Sequence, residues 1–178
     1  GAGSNHTIWN PYLPSFSKDK VLLVDLPGHG HSQRTEFRTI PEAARELISI
    51  LKKEDMENAH VIGQSLGGLV GLEAAAKAPH LISRIAVSGL LSNGLIRSQT
   101  CIEAAASILL KYSHTQRLEK PFQDYSQESN KWFFLYPFMD VKGTSLNTIA
   151  RAIKEVASYS PPWTEISQPV LILNGRTD

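Results

Sequence analysis

The run Gly63-Gln64-Ser65-Leu66-Gly67 is the part of this sequence whose residue types and spacing could carry chemistry. A serine hydroxyl becomes a useful nucleophile only when a base accepts its proton and amide donors stabilise the developing oxyanion. A sharp turn from a strand into a helix exposes such a hydroxyl and holds the serine in a strained backbone conformation. The residues two before and two after it must then be small, as Gly63 and Gly67 are. The run therefore predicts Ser65 as a nucleophile, although an isolated G-x-S-x-G also occurs by chance.

The segments on either side favour the nucleophile over the chance match. Residues 59–64 (AHVIGQ) have the pattern of a strand, and residues 66–77 have that of a helix rich in glycine and alanine. Two further buried strands are predicted at 21–26 (VLLVDL) and 82–88 (ISRIAVS), and an amphipathic helix at about 41–53. This alternation predicts an α/β fold with a mostly parallel sheet flanked by helices.

The pattern changes after residue 90. From there to about residue 162 we find candidate helices and an aromatic run at 132–139 but no convincing strand, and a strand pattern returns at 169–173. We therefore predict a core made of residues 1–89 and 163–178. Residues 90–162 would form a helical cap inserted before the last strand.

Four stretches carry a resemblance to a known family: GAGS at 1–4, DLPGHGHS at 25–32, GQSLGG at 63–68 and PVLILNGRTD at 169–178. They resemble the α/β-hydrolase superfamily, within it the capped esterase, lactonase and C–C hydrolase branch. The resemblance implies Ser65 as nucleophile, Asp178 as catalytic acid, and the backbone amides of Ala2 and Leu66 as the oxyanion hole. Asp140 is a weaker alternative for the acid. Serine at position 65 sets the chain apart from the haloalkane dehalogenases and epoxide hydrolases of this fold, which use aspartate there.

The sequence departs from the family in two places. The family triad runs serine, acid, histidine, and no histidine follows Asp178 here. The family strand that lies between 21–26 and 59–64 in the sheet is also not among these residues. We therefore expect a chain truncated at both ends, with an incompletely paired sheet and little hydrolase activity on its own.

The remaining polar and aromatic residues give weaker signals. None of the six histidines takes the position of the general base. His6, which follows the stretch at 1–4 that contains Ala2, is a candidate substrate contact. Gln64, Trp132 and Phe134 are further candidates for substrate contact. No His, Cys and carboxylate grouping has metal-ligand spacing along the chain, so we expect no metal or cofactor.

Composition excludes several classes of partner. The formal net charge is +1, and the basic residues are spread along the 178 residues, which argues against nucleic acid. No uninterrupted apolar stretch reaches membrane-spanning length. Cys101 is the single cysteine, so no internal disulfide forms, and a reducing, cytoplasmic location is expected.

Two functional interpretations remain at this point. The first is a serine hydrolase that cleaves a small, largely apolar carboxylic ester or lactone through an acyl-enzyme, with C–C bond hydrolysis as a close variant. The second is a ligand-sensing or signalling protein, or a non-catalytic truncated form, on the same fold.

Overall fold

A computed structural model describes residues 1–90 and 143–174, together with the isolated positions 107, 108 and 111. Three strands form one parallel sheet in the order β1-β2-β3. The strands are β1 (Ala59–Gln64), β2 (Ile82–Ser88) and β3 (Val170–Leu173); the α-helices are α1 (Ile40–Lys53), α2 (Leu66–Lys77) and α3 (Leu146–Ser158). Shorter 3-10 helices cover His6–Phe16, Gly30–Ser32 and Trp163–Glu165. The predicted α/β class is confirmed.

The register of the sheet brings the carboxyl ends of the three strands to one edge. Gln64 pairs with Ser88, and Ser88 pairs with Leu173. Just beyond this edge, the Gly89 amide donates to the Leu173 carbonyl over 2.9 Å. The Asn174 side chain accepts from the Leu90 amide at 2.9 Å and donates to its carbonyl at 3.3 Å. Ser65 therefore follows β1 at the edge where parallel α/β sheets place their functional loops.

Helix α2 packs between the sheet and α1 and is apolar on almost every side. Leu66, Leu69 and Leu72 are fully buried. Close packing on the sheet is possible because glycines face it: a Cβ at Gly71 would lie 2.9 Å from Val61 Cγ1. Even so, no helix within the described ranges is long and apolar enough to cross a membrane.

Helix α3 falls within the predicted cap segment and packs on the core. Its Ala152 and Val156 belong to the main buried cluster. Its Glu155 accepts a hydrogen bond from the Ile40 amide at 3.0 Å, which holds α3 at the start of α1. Just after α3, the Tyr159 hydroxyl donates to Glu73 of α2. Much of the rest of the predicted cap lies outside the described residues.

The strand predicted at 21–26 is wrong. These residues pair with no strand in the described part of the chain. A cavity of about 480 Å³ is lined both by Leu22 and Val24 of this segment and by Ile62 and Gln64 of β1. Strand geometry depends on a neighbouring ladder of hydrogen bonds. The apolar pattern at 21–26 is real, but no described strand forms such a ladder with it.

Candidate active site

Ser65 occupies the turn between β1 and α2 in a strained backbone conformation. Its φ of 47° and ψ of −115° lie in a region that residues with a Cβ rarely adopt. Two hydrogen bonds hold it: its amide donates to the Ser88 carbonyl at 2.8 Å, and its carbonyl accepts from the Leu69 amide at 3.2 Å. The first locks the turn to the sheet and the second to the helix. The strand-turn-helix context expected for a nucleophile elbow is present.

Two glycines make room for this turn, and one of them is not the residue that we expected. A Cβ at Gly63 would lie 2.5 Å from the Gly68 backbone nitrogen, and a Cβ at Gly68 would overlap Val87 Cγ1. A Cβ added at Gly67 would meet no described atom within 4 Å other than those of its chain neighbours and of its own helix backbone. The steric requirement therefore falls on Gly63 and Gly68. Beyond its own helix and its chain neighbours, the described residues place no such limit on the side chain at position 67.

The two residues predicted to form the oxyanion hole lie close to the turn. Leu66 is the first residue of α2, where backbone N–H groups have no partner within the helix. Ala2 packs against the main core cluster. Its neighbour Gly1 lies beside the elbow, since a Cβ on Gly1 would be 3.3 Å from Gln64 Oε1. The fold therefore places the start of the chain against the side chain of Gln64, the residue before Ser65, and the role of the two amides remains a prediction.

Asp25 anchors the loop that follows the amino-terminal segment. Its Oδ1 accepts from the His6 amide at 2.6 Å, and its Oδ2 accepts from the His31 amide at 2.8 Å. His6 Nδ1 lies 2.9 Å from the same Oδ2. Burial alone would raise the pKa of Asp25, but these hydrogen bonds outweigh it and hold the pKa below its ordinary value. The charged carboxylate thus fixes the start of the first 3-10 helix against the 25–32 loop.

His29 is a buried, neutral histidine in the same loop. Its Nδ1 lies 2.8 Å from the Pro27 carbonyl oxygen, and its ring meets Phe37 edge-on at 6.2 Å between centroids. Its Nε2 is buried and has no hydrogen-bond partner among the described residues. Burial lowers the pKa of His29. This packing makes His29 a structural residue of the loop.

We expect the buried His29 to make stability depend on pH. As the pH falls below about 6.5, the unfolded chain binds a proton at this histidine, whereas the folded chain does not until a lower pH. The free energy of unfolding should therefore fall between pH 7.5 and 5.5, and urea unfolding at the two pH values measures it. His29→Asn should flatten the dependence, while a variant at the exposed His80, His80→Ala, should keep it. An equal slope in His29→Asn and the unmodified protein would contradict this assignment.

The other predicted site residues divide into two groups. His6 is described, and its ring is engaged by Asp25 with the side chain 24% exposed. Gln64 lines the cavity beside β1, and its Oε1 is buried without a hydrogen-bond partner in the described part of the chain. Four predicted residues lie outside the described residues: Asp178, its alternative Asp140, Trp132 and Phe134.

The structure also brings together residues that the sequence does not connect. His6, Asp25 and His31 form one cluster, in which one nitrogen or oxygen atom of each lies within 4.8 Å of the others. The rings of His6 and His31 lie 4.8 Å apart and are tilted by 48°. Their positions in the chain, 19 and 6 residues apart, carry no motif. The sequence gives one indication of the cluster: Asp25 and His31 both lie in the stretch at 25–32 that carries part of the family resemblance.

Comparison with known proteins finds a family model that matches this chain and relatives that are named as hydrolytic enzymes. The model of the alpha/beta hydrolase family matches residues 1–178. The chain is 26% identical over 183 residues to a 3-oxoadipate enol-lactonase of Acinetobacter baylyi, covering 99% of this chain and 68% of the lactonase. It is 28% identical over 145 residues to an esterase of Mycobacterium tuberculosis, covering 80% of this chain and 47% of the esterase. In other curated relatives the chain spans 42% and 28% of the length.

A solved structure shows the same architecture. A hydrolase from Pseudomonas aeruginosa superposes with a TM-score of 0.75 at 20% identity, over 98% of this chain and 69% of that one. At this level of identity the likeness concerns the fold.

Proposed function

Since this chain belongs to the alpha/beta hydrolase family, we propose that it is the core of a serine hydrolase that cleaves a small, largely apolar carboxylic ester or lactone. The observation that carries the proposal is the strained backbone of Ser65 at the first turn of α2. Strain of this kind persists only where the surrounding structure holds it, and it is concentrated at functional sites. The names of two relatives, an esterase and an enol-lactonase, support the reaction class.

In the proposed reaction, Ser65 Oγ attacks the carbonyl carbon and loses its proton to a histidine base. The amides of Ala2 and Leu66 donate to the oxyanion, and Asp178 orients the base. Collapse of the tetrahedral intermediate releases the alcohol and leaves an acyl group on Ser65. Water then attacks this acyl-enzyme and frees the acid. Hydrolysis of a C–C bond would use the same groups with a carbon leaving group.

The described residues do not supply the base. No side chain among them forms a hydrogen bond with Ser65 Oγ. The His6 ring faces Asp25, and Nδ1 of the buried His29 faces the Pro27 carbonyl. We therefore propose that the base is none of the histidines in the described part of the chain. Activity is best tested on the whole protein that carries this sequence.

The preference for apolar substrates is our own proposal, supported by the aromatic run at 132–139 in the proposed cap, residues 90–162. A cap over an apolar site excludes water and disfavours charged acyl groups. We expect the whole protein to hydrolyse p-nitrophenyl butyrate with a kcat/KM about tenfold or more above that for the p-nitrophenyl monoester of succinic acid. Lactones and a β-diketone, assayed in parallel, separate the ester, lactone and C–C variants. A preference for the charged acyl group would contradict the proposed substrate class.

A further inference from the structure

We propose that His6, Asp25 and His31 form a binding site for a divalent transition-metal ion. The three side chains come from the start of the first 3-10 helix and from the loop that ends in the second. Each offers a nitrogen or oxygen ligand atom, and these atoms lie within 4.8 Å of one another. The inference concerns a different property from ester hydrolysis and does not depend on the proposed function.

The spacing of His6 and Asp25 is close to that of two ligands on one ion. His6 Nδ1 lies 2.9 Å from Asp25 Oδ2. Nitrogen and oxygen ligands about 2.1 Å from a tetrahedral zinc ion lie roughly 3.4 Å apart. An ion can therefore replace the proton between these two atoms if they move about 0.5 Å further apart. Neutral His6 then carries its proton on Nε2.

His31 can complete the set because its side chain lies at the surface beside the His6 ring. The residue is exposed, and its ring lies 4.8 Å from that of His6. Rotation of this side chain brings a ring nitrogen toward the ion without displacing packed core atoms. The exposed side also lets the ion enter from solvent and leaves room for water as a further ligand.

The carboxylate is oriented before any ion arrives. The amides of His6 and His31 donate to its two oxygens at 2.6 and 2.8 Å. A carboxylate has about four lone-pair sites, so both amide bonds can persist beside a metal bond. Gly30 has a left-handed φ of 47°, and a Cβ there would overlap Asp25 Oδ2. Such supporting contacts resemble the outer shell that fixes metal ligands in proteins.

The donor set selects the class of ion. Two imidazoles and one carboxylate suit zinc, cobalt or nickel, whereas calcium and magnesium favour sites built from oxygen ligands. Binding would link the first 3-10 helix to the 25–32 loop and stabilise the folded protein by mass action. We expected no metal because no candidate ligands have metal-ligand spacing along the sequence. The fold, however, brings together three residues that are distant in the sequence.

Titration of the whole protein with zinc chloride tests the proposal. The protein should carry no polyhistidine tag and should first be treated with a chelator. Calorimetry should show one ion per chain, and cobalt chloride should give visible absorption bands from a bound, low-symmetry ion. His31→Ala should weaken zinc binding by about tenfold or more, while His80→Ala, at another exposed histidine, should leave it unchanged.

Two controls keep the result interpretable. Circular dichroism and the urea unfolding midpoint should match between His31→Ala and the unmodified protein, because the side chain is exposed. His6→Ala, which removes a second ligand, should also lose the cobalt bands. Zinc binding that is unchanged in His31→Ala, or no binding of either ion at about 100-fold excess over the protein, would overturn the proposal.

Discussion

Replacing Ser65 with alanine is expected to reduce ester hydrolysis by the whole protein at least about 10³-fold, to the level left by the oxyanion hole and substrate binding. In the proposed mechanism the hydroxyl oxygen of Ser65 forms the acyl-enzyme, and the residue holds a left-handed φ of 47°. The fold should be unaffected, since both hydrogen bonds of Ser65 in the turn are made by its backbone. The measurement is kcat/KM for p-nitrophenyl butyrate.

Ser83→Ala is a matched control for this loss. Ser83 lies near the amino end of β2, at the opposite edge of the sheet, and its hydroxyl donates to the Asn58 carbonyl at 2.8 Å. The control should retain activity within about twofold, because its hydroxyl is remote from the reacting atoms. Equal activity of Ser65→Ala and Ser83→Ala would show that Ser65 is not the nucleophile.

Replacing Gly63 with alanine is expected to lower the free energy of unfolding by about 3 kcal/mol, at the upper end of the usual cost of overpacking. The added methyl group would lie 2.5 Å from the Gly68 backbone nitrogen and 2.6 Å from the Gly67 carbonyl carbon. These are backbone atoms of the turn, so the clash cannot be relieved by a side-chain rotation. The turn must open, which also displaces Ser65 and should abolish turnover.

Gly67→Ala is the matched control for the elbow. Apart from its chain neighbours and the backbone of its own helix, no described atom lies within 4 Å of the added methyl group, and Gly67 is not among the glycines with positive φ. Alanine also favours the helix over glycine by about 0.5–1 kcal/mol. Chemical denaturation should therefore show Gly67→Ala at or slightly above the stability of the unmodified protein. Equal loss of stability in the two variants would mean that the turn requires small residues on both sides.

Much of the core could be predicted because its elements are local. The strands at 59–64 and 82–88 and the helix at 66–77 have the bounds that the sequence predicts, since apolar runs and glycine or proline breaks mark both ends. The segment at 21–26 shows the limit of this approach. Its apolar pattern predicts burial, but only a paired neighbour makes a strand, and pairing is a property of the sheet.

The site was predictable to a smaller extent. The motif around Ser65 identifies the turn, because its glycines and its serine are consecutive. It does not show that Gly68 meets Val87, which comes from the next strand. Likewise, the cluster of His6, Asp25 and His31 depends on the contact between two loops. Contacts of this kind depend on the tertiary fold and have no local pattern.

Covalent labelling of the whole protein with a fluorophosphonate probe tests the central claim most directly, because the probe reacts with a serine only when that serine is activated. Intact-protein mass spectrometry should show one adduct per chain, peptide mapping should place it on Ser65, and Ser65→Ala should remain unlabelled. A protein that is not labelled, as expected of a ligand sensor or a non-catalytic form, or labelling that persists in Ser65→Ala, would contradict the assignment of Ser65 as the nucleophile.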